Sequence, residues 1–114
     1  MQCFIADVVG KDKEVKTGTD ATISCVISGI TQAVQSVVWK TSTSTNVVTD
    51  DSTNYAQTDG SYQSASNSQT TELTVKAAKT DQDVSYTCVI TADEWGEASP
   101  KPTNVNLNVF GKFT

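Results

Sequence analysis

Asp81-Gln82-Asp83-Val84-Ser85-Tyr86-Thr87-Cys88-Val89-Ile90 is the stretch that decides the fold, because it sets a tyrosine two residues before a cysteine in a run that ends β-rich. Residues two apart on a strand share a face, so the Tyr86 ring and the Cys88 sulfur enter the core together. From there the phenol can reach back to the backbone at the strand's entry. Upstream, Cys25 stands in Ala-Thr-Ile-Ser-Cys-Val-Ile, and Trp39 follows it by fourteen positions in Val-Val-Trp-Lys. The chain therefore carries Cys, Trp, Tyr and Cys in that order.

That order resembles an immunoglobulin domain, and the resemblance covers residues 3 to 109. It implies an all-β fold, an immunoglobulin-like β-sandwich of about seven antiparallel strands with one inter-sheet disulfide, Cys25 to Cys88. Trp39 would pack on that bridge, with Tyr86 and Leu73 as the other core signature residues. The domain is expected to span residues 1–109, with 110–114 a linker or appended tail. Within the family the details look most like the constant type: the fourteen-residue step, Trp39-Lys40, Asp59-Gly60-Ser61-Tyr62 ahead of Leu73-Thr74-Val75, Cys88-Val89-Ile90-Thr91, and Ser99-Pro100 before the last strand. No cation lies between Lys40 and Lys76, so the basic residue that pairs with the tyrosine-corner Asp in variable domains is missing. The Asp usual six residues before the second cysteine is Gln82 here, flanked by Asp81 and Asp83.

Read in order, short β-rich runs alternate with polar turns and no helical period emerges. Residues 3 to 9 read as the first strand and Lys11 to Gly18 as a charged turn and edge segment, whose lysines discourage edge pairing. Thr19 to Ser28 follows, with Ala21, Ile23, Cys25 and Ile27 inward. Ser36 to Thr41 points Val37 and Trp39 in. Ser42 to Thr70 is polar, with a short strand expected near Asn54 to Thr58, and strict β-patterning resumes at Thr71 with Leu73 and Val75 as core residues. Val84 to Ala92 and Thr103 to Val109 are the last two strands, joined by a loop that turns at Trp95-Gly96.

Composition removes several classes of function. One hundred and fourteen residues suffice for one domain with one core. A net charge of -5, with every cation a lysine, disfavours nucleic acid, which is bound by neutralising phosphate, and offers no basic run for an anionic membrane. Without histidine, Ser-His-Asp and Cys-His catalysis are out of reach. Cys3, Cys25 and Cys88 lack metal-ligand spacing, and Asp50-Asp51 lacks a calcium-loop pattern. No cofactor, catalytic residue or metal ligand is expected. Asn-x-Ser/Thr is absent, no apolar run approaches the ~20 residues of a membrane span, and Met1-Gln2 opens no signal peptide. A secreted protein is then expected to have been cut from a longer precursor.

Two function classes follow from the resemblance. The first is a noncatalytic extracellular module of an immune-type receptor or cell-adhesion protein, acting in protein recognition or as a framework. The second is a structural domain of a tandem array, of the intracellular filament type, that spaces its neighbours. A disulfide favours an oxidising compartment, extracellular or at the cell surface. The outward halves of the alternations are mostly polar, Val26, Val38 and Val89 excepted, which predicts a monomer unless linked through Cys3. Cys3 is the odd cysteine and a candidate intermolecular thiol, with a partner lost at a boundary and an inert buried thiol as the other readings. The candidate protein-binding residues are Glu94, Trp95, Gly96 and Glu97. With core tryptophan already supplied by Trp39, a second one at a turn, ringed by Asp93, Glu94 and Glu97, suits a partner with lysine or arginine. In this fold the loop would lie beside Gly29 to Gln35. The alternative is that Trp95 folds back over the sandwich edge or packs on a neighbouring domain.

Overall fold

The computed structural model describes residues 7–41, 47, 48, 51–78, 85–98 and 100–110, the side chains of 97 and 98 excepted. Cys3, the expected strand residues before Asp7, the corner residues 81–84 and the tail 111–114 lie outside them.

The alternation in β3 (Ala21–Ser28) becomes its burial pattern: Ala21, Ile23, Cys25 and Ile27 are buried and their neighbours face out. β6 (Ser68–Val75) pairs with it antiparallel along all eight residues, from Ala21 opposite Val75 to Ser28 opposite Ser68. β1 (Asp7–Lys11) and β5 (Tyr55–Thr58) complete that sheet in the order β1-β3-β6-β5. The facing sheet runs β2-β8-β7-β4, from β2 (Lys13–Lys16), β8 (Lys101–Phe110), β7 (Ser85–Thr91) and β4 (Ser36–Thr41). Between the sheets lie Ile23, Ile27, Leu73, Val75, Tyr86, Ile90, Val105 and Leu107, each at most 1 % exposed. Trp39 sits directly across the ladder from Cys88, and the Cys25–Cys88 bridge joins the two sheets through the middle of this core.

Two features differ from the expected seven antiparallel strands. Eight strands are formed by the described residues, and β2 runs parallel to β8, Lys13 to Lys16 alongside Leu107 to Phe110. The segment expected as a charged turn and edge segment is therefore split between two edge strands: Lys11 ends β1, the chain crosses between sheets at Asp12, and Val15 is buried while its neighbours Glu14 and Lys16 are exposed. Asp12 secures the crossing, its carboxylate accepting the Asn106 backbone N–H at 2.8 Å. Gly10 permits it, since a Cβ there would lie 2.7 Å from the Asn104 carbonyl oxygen and from Val105 Cγ2. The last strand also runs one residue past Val109, through Phe110.

The opposite side of the sandwich is closed by a side chain. Gln57 on β5 donates from Nε2 to the Val37 carbonyl of β4 at 2.8 Å and to the Asp59 carboxylate. An edge carbonyl that would otherwise invite another strand is thereby occupied. Just before β5, the Asn54 side-chain amide donates to Asp51 at 2.8 Å and holds that carboxyl below the usual carboxylate range, despite an opposing contribution from desolvation.

Past β5 the chain turns at Gly60, which has a φ of +69°. An alanine Cβ there would approach the Thr70 carbonyl oxygen to 2.3 Å, a contact with backbone that no side-chain rotation relieves. The left-handed conformation alone costs a non-glycine residue about 1–2 kcal/mol. Gly60→Ala is expected to lose about 2–3 kcal/mol or more in a urea titration; a loss under about 0.5 kcal/mol would mean that the turn readily changes conformation.

Candidate binding site

One pole of the sandwich gathers three loops, residues 29–35, 59–67 and 93–98. The chain enters here too, Asp7 pairing with Ser28, while Phe110 pairs with Lys16 at the far end. After β7 the backbone forms a short 3₁₀ segment, Asp93–Ala98, kinked at Gly96 (φ 56°, ψ -124°). Gln35 fixes its start: the Gln35 N–H donates to the Thr91 carbonyl at 2.8 Å, and Gln35 Oε1 accepts the Asp93 N–H. The Trp95 N–H donates to the Ala92 carbonyl at 3.1 Å.

Glu94 locks this segment to the neighbouring loop. Its carboxylate accepts the Thr31 backbone N–H at 3.0 and 3.2 Å and the Thr31 hydroxyl at 3.3 Å. The predicted adjacency of the two loops is thus present, with exposed Glu94 accepting from both Thr31 donors. Asp93 and Gly96 are exposed; the Glu97 side chain is outside the described residues.

Trp95 is half-buried, packed against the core cluster. Its Nε1 is covered and has no acceptor among the described residues. The Lys101 ammonium lies over the ring, 5.4 Å from the centroid, within cation–π range. Of the two readings of Trp95, packing back onto the sandwich describes the ring's core side, and the cation over the ring is the chain's own Lys101 from β8.

Beneath the pole runs a polar chain that sequence reading missed. The Trp39 Nε1–H donates to Thr71 Oγ1 at 3.4 Å, and the Thr71 hydroxyl donates to Asp59 Oδ1 at 3.3 Å. Buried Gln69 accepts the Val34 N–H at 3.1 Å and donates to the Asp59 carbonyl at 3.1 Å, tying loop 29–35 to loop 59–67. Tyr62 adds a further tie, its hydroxyl lying 3.3 Å from the Ile30 carbonyl and 3.1 Å from Asn67 Oδ1. The signal for Gln69 and Thr71 was their place on the same alternating face as Leu73 and Val75.

Chemically, this pole offers rigid backbone, one aromatic face and exposed carboxylates. Among the described residues no group of three or more His, Cys, Asp or Glu side chains is placed to hold a metal, and no helix is long and apolar enough to cross a membrane. The family model of the immunoglobulin C1-set domain matches residues 7–94. The chain belongs to the immunoglobulin C1-set family. No curated protein sequence matches it significantly. The C1-set match ends inside the 3₁₀ segment, yet β8 beyond it contributes Val105, Leu107 and Val109 to the core, so the C1-set sandwich is completed by a strand outside the matched region. The four strands β1, β3, β6 and β5 opposite β4, β7 and β8 reproduce the constant-type division into four and three, with parallel β2 added at the β8 edge.

Proposed function

We propose that this C1-set domain is a noncatalytic extracellular module of an immune-type receptor or cell-adhesion protein, acting in protein recognition or as a framework domain. The observation that carries the reading is the Cys25–Cys88 bridge, whose sulfurs belong to residues with no solvent exposure and lie at the centre of the core. A disulfide in that position forms and persists in an oxidising compartment. Mass spectrometry of protein from its native source, under non-reducing conditions, is expected to find the bridge intact; both thiols free would overturn the extracellular assignment in favour of an intracellular spacer.

Asp7 and Phe110, the first and last described residues, pair at opposite poles, and this supports the tandem-array reading as a second possibility for the same fold. The outer sheet faces are mostly polar, with half-buried Val26 opposite Val9 on one and the half-buried pair Val38 and Val89 on the other, and they favour no obligate partner. One carries Thr22 and Thr74, their hydroxyl oxygens 3.0 Å apart, with Ser24, Glu72 and Lys76. The other carries Lys40, Asn106, Asn108 and Thr87, whose hydroxyl donates to Asn104 at 2.8 Å. Val9 and Phe110 are the large apolar residues exposed among those described, at 42 % and 47 %, and they lie towards opposite ends of the sandwich. Stable obligate interfaces are more apolar than this. Sedimentation in mild reductant, which removes any link through Cys3, is expected to give a monomer; a tight dimer at micromolar concentration would refute it.

A further inference from the structure

We propose that the outer face of Trp95 is a recognition site for a single arginine side chain of a protein partner, and that Lys101 occupies it in the free domain as a resident, displaceable cation. The proposal rests on the recognition reading above and names the chemistry of its site. Trp39 is fully buried and serves the fold, whereas Trp95 is half-buried, packed against the core cluster, with the Lys101 ammonium over its ring at 5.4 Å. No carboxylate pairs with that ammonium among the described residues, so the ring is its described attachment.

The platform is already formed. Gln35 fixes Asp93, Thr31 fixes Glu94, and the Trp95 N–H is bound to Ala92, so a partner pays little ordering entropy to use it. Exposed Asp93 lies two residues before Trp95 in the chain, and its carboxylate makes no hydrogen bond among the described residues, so it adds unspent negative charge to the loop. Arginine suits the site better than lysine. Its guanidinium stacks flat on an indole, is more weakly hydrated than an ammonium, and can fork to a carboxylate at the same time. Lys101, being strongly hydrated on a flexible stem, returns to water when displaced.

The test titrates the domain with the capped tripeptide Gly-Arg-Gly and its glutamine counterpart, following the two indole N–H resonances by NMR and assigning them with Trp95→Phe. The arginine peptide is expected to move the Trp95 resonance saturably while the glutamine peptide leaves it in place, and Trp39 should stay still in both. Lys101→Gln is expected to tighten the arginine peptide about two- to fivefold, the factor by which an exposed cation–π contact competes. Its melting temperature checks that the fold is retained. Equal shifts with both peptides, or unchanged or weaker binding in Lys101→Gln, would overturn the proposal. Either result would leave the disulfide and monomer tests of the broader reading untouched.

Discussion

Replacing both Cys25 and Cys88 by alanine is expected to lower the unfolding free energy by about 4 kcal/mol, the loop-closure entropy of a 63-residue separation on the chain-entropy model. For a domain whose net stability is about 5–15 kcal/mol, that is a large fraction, and it corresponds to a fall of roughly 15–30 °C in melting temperature. The effect acts mainly on the unfolded chain, so the folded alanine variant should keep the register of β3 opposite β6 and of β4 opposite β7. Two small buried side chains in place of the bridge also leave a void beside Trp39, which adds to the loss. Urea titrations of the two proteins measure it. A difference under about 1 kcal/mol would mean either that the unfolded chain stays compact or that the core rearranges without the bridge.

What was legible in the sequence follows from the range of the interactions involved. Cys25, Trp39, Leu73, Tyr86 and Cys88 are all without solvent exposure, as the alternation around each of them required. Strand β4 begins and ends where its pattern does, at Ser36 and Thr41. Period-two burial is a local property and one sequence carries it. The parallel pairing of β2 with β8 is a different matter, since Asp12 and Asn106 lie 94 residues apart and nothing near Asp12 announces its acceptor. Lysines at 11, 13 and 16 read as an edge, which β2 is, but gave no hint of the sheet it would join.

The candidate binding loop was legible in part for the same reason. A tryptophan beside a glycine, among acids, marked the turn; its neighbours across the fold stayed hidden. Glu94 is an exposed charge, as its sequence context suggests, and it also accepts from Thr31, 63 residues away, which no local pattern announces. Lys101 carried no signal at all, because only the geometry at the start of β8 brings it over the ring. The polar stretch from Ser42 to Thr70 hid its structural residues similarly. Asp59 is exposed at a turn but accepts the Thr71 hydroxyl, and Gln69, inside the polar stretch, is buried on the same alternating face as Thr71, Leu73 and Val75.

Trp39→Ala is expected to cost about 3–5 kcal/mol, the range for truncating a fully buried large aromatic. The loss has two components that conservative variants separate. Trp39→Phe keeps an aromatic ring in the core but removes the indole N–H, so Thr71 keeps Asp59 as acceptor and loses only a donor. Thr71→Val does the reverse, stranding the Trp39 N–H in the core at a cost of about 1–3 kcal/mol. In a double-mutant cycle on these two changes the coupling should be about 1 kcal/mol or less, as befits a 3.4 Å contact, which leaves packing as the greater part of what Trp39 contributes. Because Trp39 faces Cys88 across the ladder, Trp39→Ala should not be additive with loss of the bridge: each change opens space the other residue lines, and collapse into a shared void reduces the combined cost. Urea titrations of the single, double and triple variants decide it, using Trp39→Phe in place of Trp39→Ala if the combined protein does not fold. Strict additivity within about 0.3 kcal/mol would show that the ring and the disulfide do not share a packing environment.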